Sequence, residues 1–200
     1  MTAALRTAVT PDAVRAVALE LFAQKGYHGT ALSEVAGRLE IRTSSLYNHI
    51  NSKQELLAQI LLTTSRDVLD DFDRAVEDVD SVTDRLAAAV RVYALRHATH
   101  RHEALVVNAD VAALDEPTRS DVLDLRRRHE GAIRNLLVEG TETGHFDVQH
   151  PAVTSFGILE MCVAIARWFR EDGPLTAEET ADAHAQLTLR MVGLERRDPA

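Results

Sequence analysis

Between Arg42 and His49 the chain sets out a dense run of groups able to touch a polyanion: Arg42, Thr43, Ser44, Ser45, Tyr47, Asn48 and His49, broken only by Leu46. Short hydroxyl and amide side chains reach base edges or phosphate oxygens without bulk. Arg42 adds a charge suited to phosphate or guanine. The chemistry of this run is contact with nucleic acid. Tyr47 is expected there as a contact, not as core.

Other residues invite an enzymatic reading. His97 and His100 can share a helix face and, with His102, Glu103 and Asp110 nearby, suggest a metal site. Arg96 and Arg101 crowd the same spot and oppose a cation, and His102 falls on another face. A solvated helix end is expected, with no metal. Cys162 lies inside the apolar run 158–165, where a buried structural thiol is expected over a nucleophile. With no Gly-rich phosphate loop and no serine elbow, neither an enzyme nor a cofactor is expected.

The run at 42–49 needs elements to hold it, and the sequence supplies helices. Pro11 to Lys25 reads as the first, capped by Thr10 and ended by Gly26, with Val14, Val17, Ala18, Leu21 and Phe22 on one stripe. A short helix follows at about 31–39, with Thr30 as its N-cap. A three-residue break, 40–42, leads into a third at about 43–49. Ala36 sits where the two short helices approach, and Val35, Leu39, Ile41 and Leu46 lock them. This is how a helix-turn-helix presents a recognition helix to the major groove. Ser52 caps a long helix to roughly residue 77. Further helices are expected near 82–101, 103–114, 117–143, 151–170 and 176–194, about nine in all and no strands.

Composition agrees. The 200 residues hold 46% apolar and 26% charged residues, 9 Gly, 5 Pro and one Cys. That is ordinary globular composition with a core, not disorder or a disulfide scaffold. A single cysteine and the lack of a signal-like opening or an 18-residue apolar run point to a cytoplasmic protein off the membrane. The net charge of −9 argues at first against nucleic acid. Its distribution argues otherwise: six Lys/Arg against four Asp/Glu make residues 1–53 net +2, leaving −11 for the rest. The domains are read as a DNA-binding head, 1–53, and a helical body, 54–200.

The ladder Leu21-Phe22, Gly26-Tyr27, Thr30, Val35-Ala36, Leu46-Tyr47, His49, Ser52-Lys53, Leu56-Leu57 makes this head recognisable. It resembles the DNA-binding head of the TetR family of transcriptional regulators over roughly residues 11–60. The resemblance implies that Thr30 contacts phosphate through its hydroxyl and that Thr43 and Ser44 read base edges. It implies that Ser45, Tyr47 and His49 touch the backbone and that Lys53 clamps a phosphate. The chain departs from the family where Glu40 replaces a usual Gly in a left-handed turn, and where Arg42 replaces a small hydroxyl residue. The runs 126–130, 139–144 and 167–175 resemble the C-terminal domain of an actinobacterial-type branch, some of whose members control fatty-acid or sterol catabolism and sense acyl-CoA thioesters.

In the body, the helix at 151–170 is apolar nearly all round and so should be buried on more than one side. A homodimer interface meets that need. The resemblance supplies a four-helix bundle from this helix and 176–194 of two copies, with Phe156, Cys162, Ile165, Trp168, Phe169, Leu187 and Met191 at the interface. An effector pocket is implied too, with Tyr93, His97, Val107, Asn108, Val111, Phe156 and Glu160 as lining candidates. Arg126, Arg127 and Arg128 are candidates for the phosphates of a CoA effector. The reading is a homodimeric repressor on a double-stranded operator, released by a small apolar or acyl-CoA-like effector. The alternative, a helical binding or catalytic protein with a relic head, is separated from it by salt-sensitive DNA affinity.

Overall fold

Thr10 accepts a hydrogen bond from the Ala13 amide at 3.2 Å, Pro11 fills the first turn, and Gly26 at φ 76° ends the helix they begin. This is α1 (Pro11–Lys25) of a computed structural model that describes residues 9–193. Then follow α2 (Leu32–Arg38), α3 (Thr43–Leu46), α4 (Lys53–Val76), α5 (Val82–Thr99) and α6 (Arg101–Asp110). A single 3-10 turn, Val111–Ala113, leads to α7 (Thr118–Glu142), α8 (Pro151–Trp168) and α9 (Ala177–Met191). Among the described residues the regular structure is helical throughout. The expected far end of α9 at Leu194, and residues 1–8 of the expected head, lie outside the described residues.

Two apolar cores share α4. The first gathers Val14, Ala18, Leu21 and Phe22 from α1, Val35 and Ala36 from α2, Leu46 from α3, and Leu56, Leu57, Ile60 and Leu61 from α4. Val106 and Val107 of α6 close it from the body side. The second gathers Phe72 of α4, Leu86 and Val90 of α5, Ile133 and Leu137 of α7, Ile158, Cys162 and Ile165 of α8, and Ala181 of α9. So α4 contributes to both cores, and α6 packs against α1 of the head as well as α4 and α8. The boundary read at 53/54 falls on the first residue of α4.

The turn between α2 and α3 takes the left-handed form with Glu40 in it, at φ 55°. The Ile41 amide then donates to the Ala36 carbonyl at 3.0 Å and closes the turn. The recognition helix is shorter than its sequence suggests. After Leu46 the amides of Asn48 and His49 reach back only three residues, to Ser45 and Leu46, so Tyr47 to His49 continue as tight turns.

Candidate nucleic-acid interface and ligand cavity

Leu46 is fully buried and Ile50 nearly so, and together they pin the 42–49 segment to the head. Truncating a side chain like Leu46 costs about 2–5 kcal/mol. With those two inward, Arg42, Thr43, Ser44, Tyr47 and Asn48 are exposed as one surface, and Ser45 and His49 are half-buried at its edge. Tyr47 is 54% exposed, so it is not core. Lys53, the first residue of α4, has its Nζ 4.3 Å from the Tyr27 ring centroid and 6.0 Å from that of Phe22. Partial burial lowers its pKa, and the nearby Asp110 carboxylate works against that shift.

Thr30 is corrected. It neither caps α2 nor faces outward: it is 2% exposed, and its hydroxyl donates to the carbonyls of Leu21 at 3.2 Å and Gly26 at 3.0 Å. The chain folds back after Gly26 and turns the hydroxyl inward onto two carbonyls at the C-terminal end of α1. Ala31 is the N-cap instead, and the Glu34 carboxylate accepts from its amide at 3.1 Å while pairing with Lys25. Thr30 is therefore unavailable to phosphate through its hydroxyl.

The body encloses a cavity of about 510 Å³ between α4, α5, α6, α7 and α8. Of the residues expected to line it, Tyr93, His97, Val107, Asn108, Phe156 and Glu160 do. Val111 is corrected: it sits in the 3-10 turn and packs against the core of the head. Arg126 and Arg127 lie on the wall, whereas the exposed Arg128 does not. Arg126 donates to the Asn108 side chain at 2.6 Å, and Asn108 donates in turn to the Ala104 carbonyl at 2.7 Å. Arg96 is held by Asp71 at 2.8 Å, Asp67 at 3.3 Å and Glu103 at 2.7 Å, which ties α4, α5 and α6 together at the cavity wall.

His97 and His129 are both buried in that wall. Burial pushes each imidazole down to about 4, so both are neutral near pH 7. The Tyr93 ring packs on both, 4.3 Å from His97 and 4.6 Å from His129 between centroids. Two histidines of the candidate metal group have one ring nitrogen in a local hydrogen bond. His97 Nδ1 meets the Tyr93 carbonyl, His100 Nδ1 meets the Thr99 hydroxyl, and Arg96 lies beside them in sequence with three acidic partners.

Sequence reading missed Ser65, His129 and Gln54. The first two had a legible signal. Ser65 continues the stripe Leu57, Leu61, Ser65, Leu69 on α4, and His129 interrupts the apolar positions Val122, Ile133 and Leu136 on α7. A polar residue in a buried stripe faces either a partner or a cavity. Gln54 gave no such signal, because its partners lie 27 and 59 residues away.

On the outer side of α8 and α9, Phe156, Trp168, Leu187 and Met191 are exposed, joined by Val153 and Leu175. Cys162, Ile165 and Phe169 are corrected: they are buried within the protomer, so they cannot themselves form the interface. The helix is apolar all round because one face fills the protomer core and the other is left uncovered. Burial also pushes the Cys162 thiol up to about 12, which suits an inert side chain.

Comparison with known proteins matches this layout. Residues 14–60 match the family described as bacterial regulatory proteins, tetR family, and residues 79–192 match the tetracyclin repressor-like C-terminal domain. The HTH-type transcriptional repressor KstR2 of Mycolicibacterium smegmatis is 27% identical over 185 residues, 89% of this chain and 88% of that one. The TetR-family regulator PfmR of Thermus thermophilus is 31% identical, covers 92% of this chain and 99% of its own, and superposes with a TM-score of 0.80. The solved structure of AibR in complex with isovaleryl coenzyme A and operator DNA is 26% identical, covers 88% and 96%, and has a TM-score of 0.76. With both halves matched in order, this chain belongs to the TetR family of bacterial regulatory proteins.

Proposed function

We propose that the protein is a homodimeric repressor, working in the cytoplasm without catalysing a reaction. Its head, residues 1–53, holds a double-stranded operator, and its body, 54–200, pairs two copies and binds an acyl-CoA effector that releases the DNA. The observation that carries this is one exposed surface of Arg42, Thr43, Ser44, Tyr47 and Asn48, anchored by Leu46, joined by α4 to a body with its own cavity. Lys53, Ser45 and His49 at its edge supply backbone contacts. A second copy covers Phe156, Trp168, Leu187, Met191, Val153 and Leu175, and its two-fold axis matches a repeated half-site. The resemblance to a repressor, and to a regulator solved with an acyl-CoA and operator DNA, supports both halves of the reading.

The mechanism is a population shift. An effector in the cavity touches α4 through α8, and only contacts that differ between two forms can move the balance between them. The effector favours the form in which the two recognition helices no longer match the half-site separation.

The experiment is fluorescence anisotropy on DNA from upstream of the protein's own gene, at two salt concentrations, followed by a panel of acyl-CoA thioesters. Affinity should fall with salt at a slope of about −0.9 per phosphate contacted. One thioester should release the DNA. Salt-independent or absent binding refutes the repressor, and binding that no thioester disturbs refutes the effector class.

A further inference from the structure

The cavity has two unlike ends. Leu123, Arg127 and Glu160 line it and are exposed, so they form its mouth. Thr64, Ser65, His97 and His129 line it and are buried, so they form its floor. Three charged groups along the wall are already committed within the protein. Arg96 holds three carboxylates, Arg126 holds Asn108, and Glu130 accepts from Ser155 at 2.6 Å.

The floor is different: it is polar and uncharged, with hydrogen-bonding capacity left over. Ser65 Oγ is buried with no hydrogen-bond partner among the described residues. His97 Nδ1 lies 2.8 Å from the Tyr93 carbonyl, which can only accept, so that nitrogen carries the proton. Nε2 is then a lone pair to which nothing among the described residues donates. His129 meets the aromatic rings of Phe72 at 6.0 Å and Tyr93 at 4.6 Å, so among the described residues its one N–H and one lone pair are also unmet. Buried polar groups are normally satisfied, and the exceptions call for a reason.

We propose that Ser65, His97 and His129 recognise a hydroxyl group at the far end of the effector's apolar chain. A hydroxyl both donates and accepts. Its proton goes to His97 Nε2, and its oxygen accepts from the Ser65 hydroxyl or the His129 N–H. A ketone only accepts and leaves His97 unmet, and a plain methyl end leaves the whole floor unmet. The site rests on the effector-binding reading and narrows it to chains oxygenated at the end remote from the thioester.

The test is calorimetric titration of the full chain with hexadecanoyl-CoA, its (ω−1)-hydroxy and (ω−1)-keto derivatives, and the three free acids. The hydroxy compound should bind at least about tenfold more tightly than the parent, since a site built for a hydroxyl discriminates strongly against its loss. The ketone should fall between them. His97→Leu and, separately, Ser65→Ala should bring the hydroxy compound to within about threefold of the parent. Equal or weaker binding of the hydroxy compound in both series, a preference for the ketone, or a hydroxyl preference that survives both substitutions overturns the site. A hydroxyl preference among the free acids alone keeps the site and removes the thioester reading. Release of DNA by thioesters with no hydroxyl preference keeps the repressor and removes the site.

Discussion

The Gln54 side chain donates to the Ala113 carbonyl at 2.9 Å, joining the first turn of the helix behind the DNA-facing surface to the turn that ends α6. The same amide accepts from the Tyr27 hydroxyl at 2.7 Å, and Tyr27 carries Lys53 on its ring. One side chain therefore ties the turn that ends the cavity-lining helix α6 to Tyr27 of the head, against whose ring Lys53 lies. Replacing it with Ala breaks both bonds without touching cavity or DNA. Gln54→Ala should leave operator and effector affinities, measured separately, within about threefold. The factor by which effector weakens DNA binding should drop toward one, a loss of order 1 kcal/mol of coupling. Anisotropy titrations at fixed effector read this directly, and an unchanged factor excludes the latch.

Tyr47 projects from the head with more than half its surface free, so its removal should spare the fold. Tyr47→Ala should weaken operator binding by roughly five- to 150-fold, the range expected for about 1–3 kcal/mol of contact. The melting curve should stay within about 0.5 kcal/mol of the parent. Undiminished DNA affinity in the folded variant removes Tyr47 from the interface.

Much of this was legible because its causes are local. Thr10, Pro11 and Gly26 bound α1 through caps that lie within the helix's own ends, and the apolar ladder through Leu57 fixes the head core. Thr30 misled because a Thr before a helix has two local uses. Here the carbonyls at the end of α1 took the hydroxyl, a choice made by the fold of the 26–30 turn. Cys162, Ile165 and Phe169 misled for another reason. An all-apolar helix shows that two faces are covered but not which face meets which neighbour. The cavity floor was half seen, since His97 was read from its neighbours in sequence, while Ser65 and His129 reach it from α4 and α7.

Glu40 holds a left-handed conformation that costs a residue with a Cβ about 1–2 kcal/mol. Glycine removes that strain but gives the unfolded chain about 0.4–1 kcal/mol more freedom. Glu40→Gly should therefore be neutral to about 1 kcal/mol stabilising. Glu40→Val, β-branched at the same angle, should be the less stable of the two by about 2 kcal/mol. Denaturant midpoints compare them, and equal stability would mean the turn has moved.

The two buried imidazoles make stability depend on pH. Both pKa values are lowered, from 6.5 to about 4, so the unfolded chain binds these protons first as pH falls. Their contribution is complete above about pH 6.5 and is lost as pH descends to about 4. A shift of this size is worth on the order of 3 kcal/mol per group. His129→Asn should flatten the fall in unfolding free energy between those limits, whatever it does to stability at neutral pH. Urea unfolding at several pH values measures that slope, and a slope equal to the parent's would mean that His129 is not buried as a neutral group.

Gly140 lies on the buried face of α7, where a Cβ would run into the Phe146 ring. The two are locked together, because the Phe146 amide donates to the Gly140 carbonyl at 2.9 Å and the ring is part of the second core. A methyl group there has no space unless the ring moves. The added helix propensity of alanine, at most about 1 kcal/mol, is smaller than the overpacking penalty of about 1–3 kcal/mol. Gly140→Ala should therefore destabilise the protein, against the usual trend for a helix interior. Phe146→Leu in the same chain should recover part of the loss, since it removes the edge the new methyl strikes. Unfolding free energies of the two single variants and the double variant decide the matter, and additive losses would mean that the close approach is not what requires glycine here.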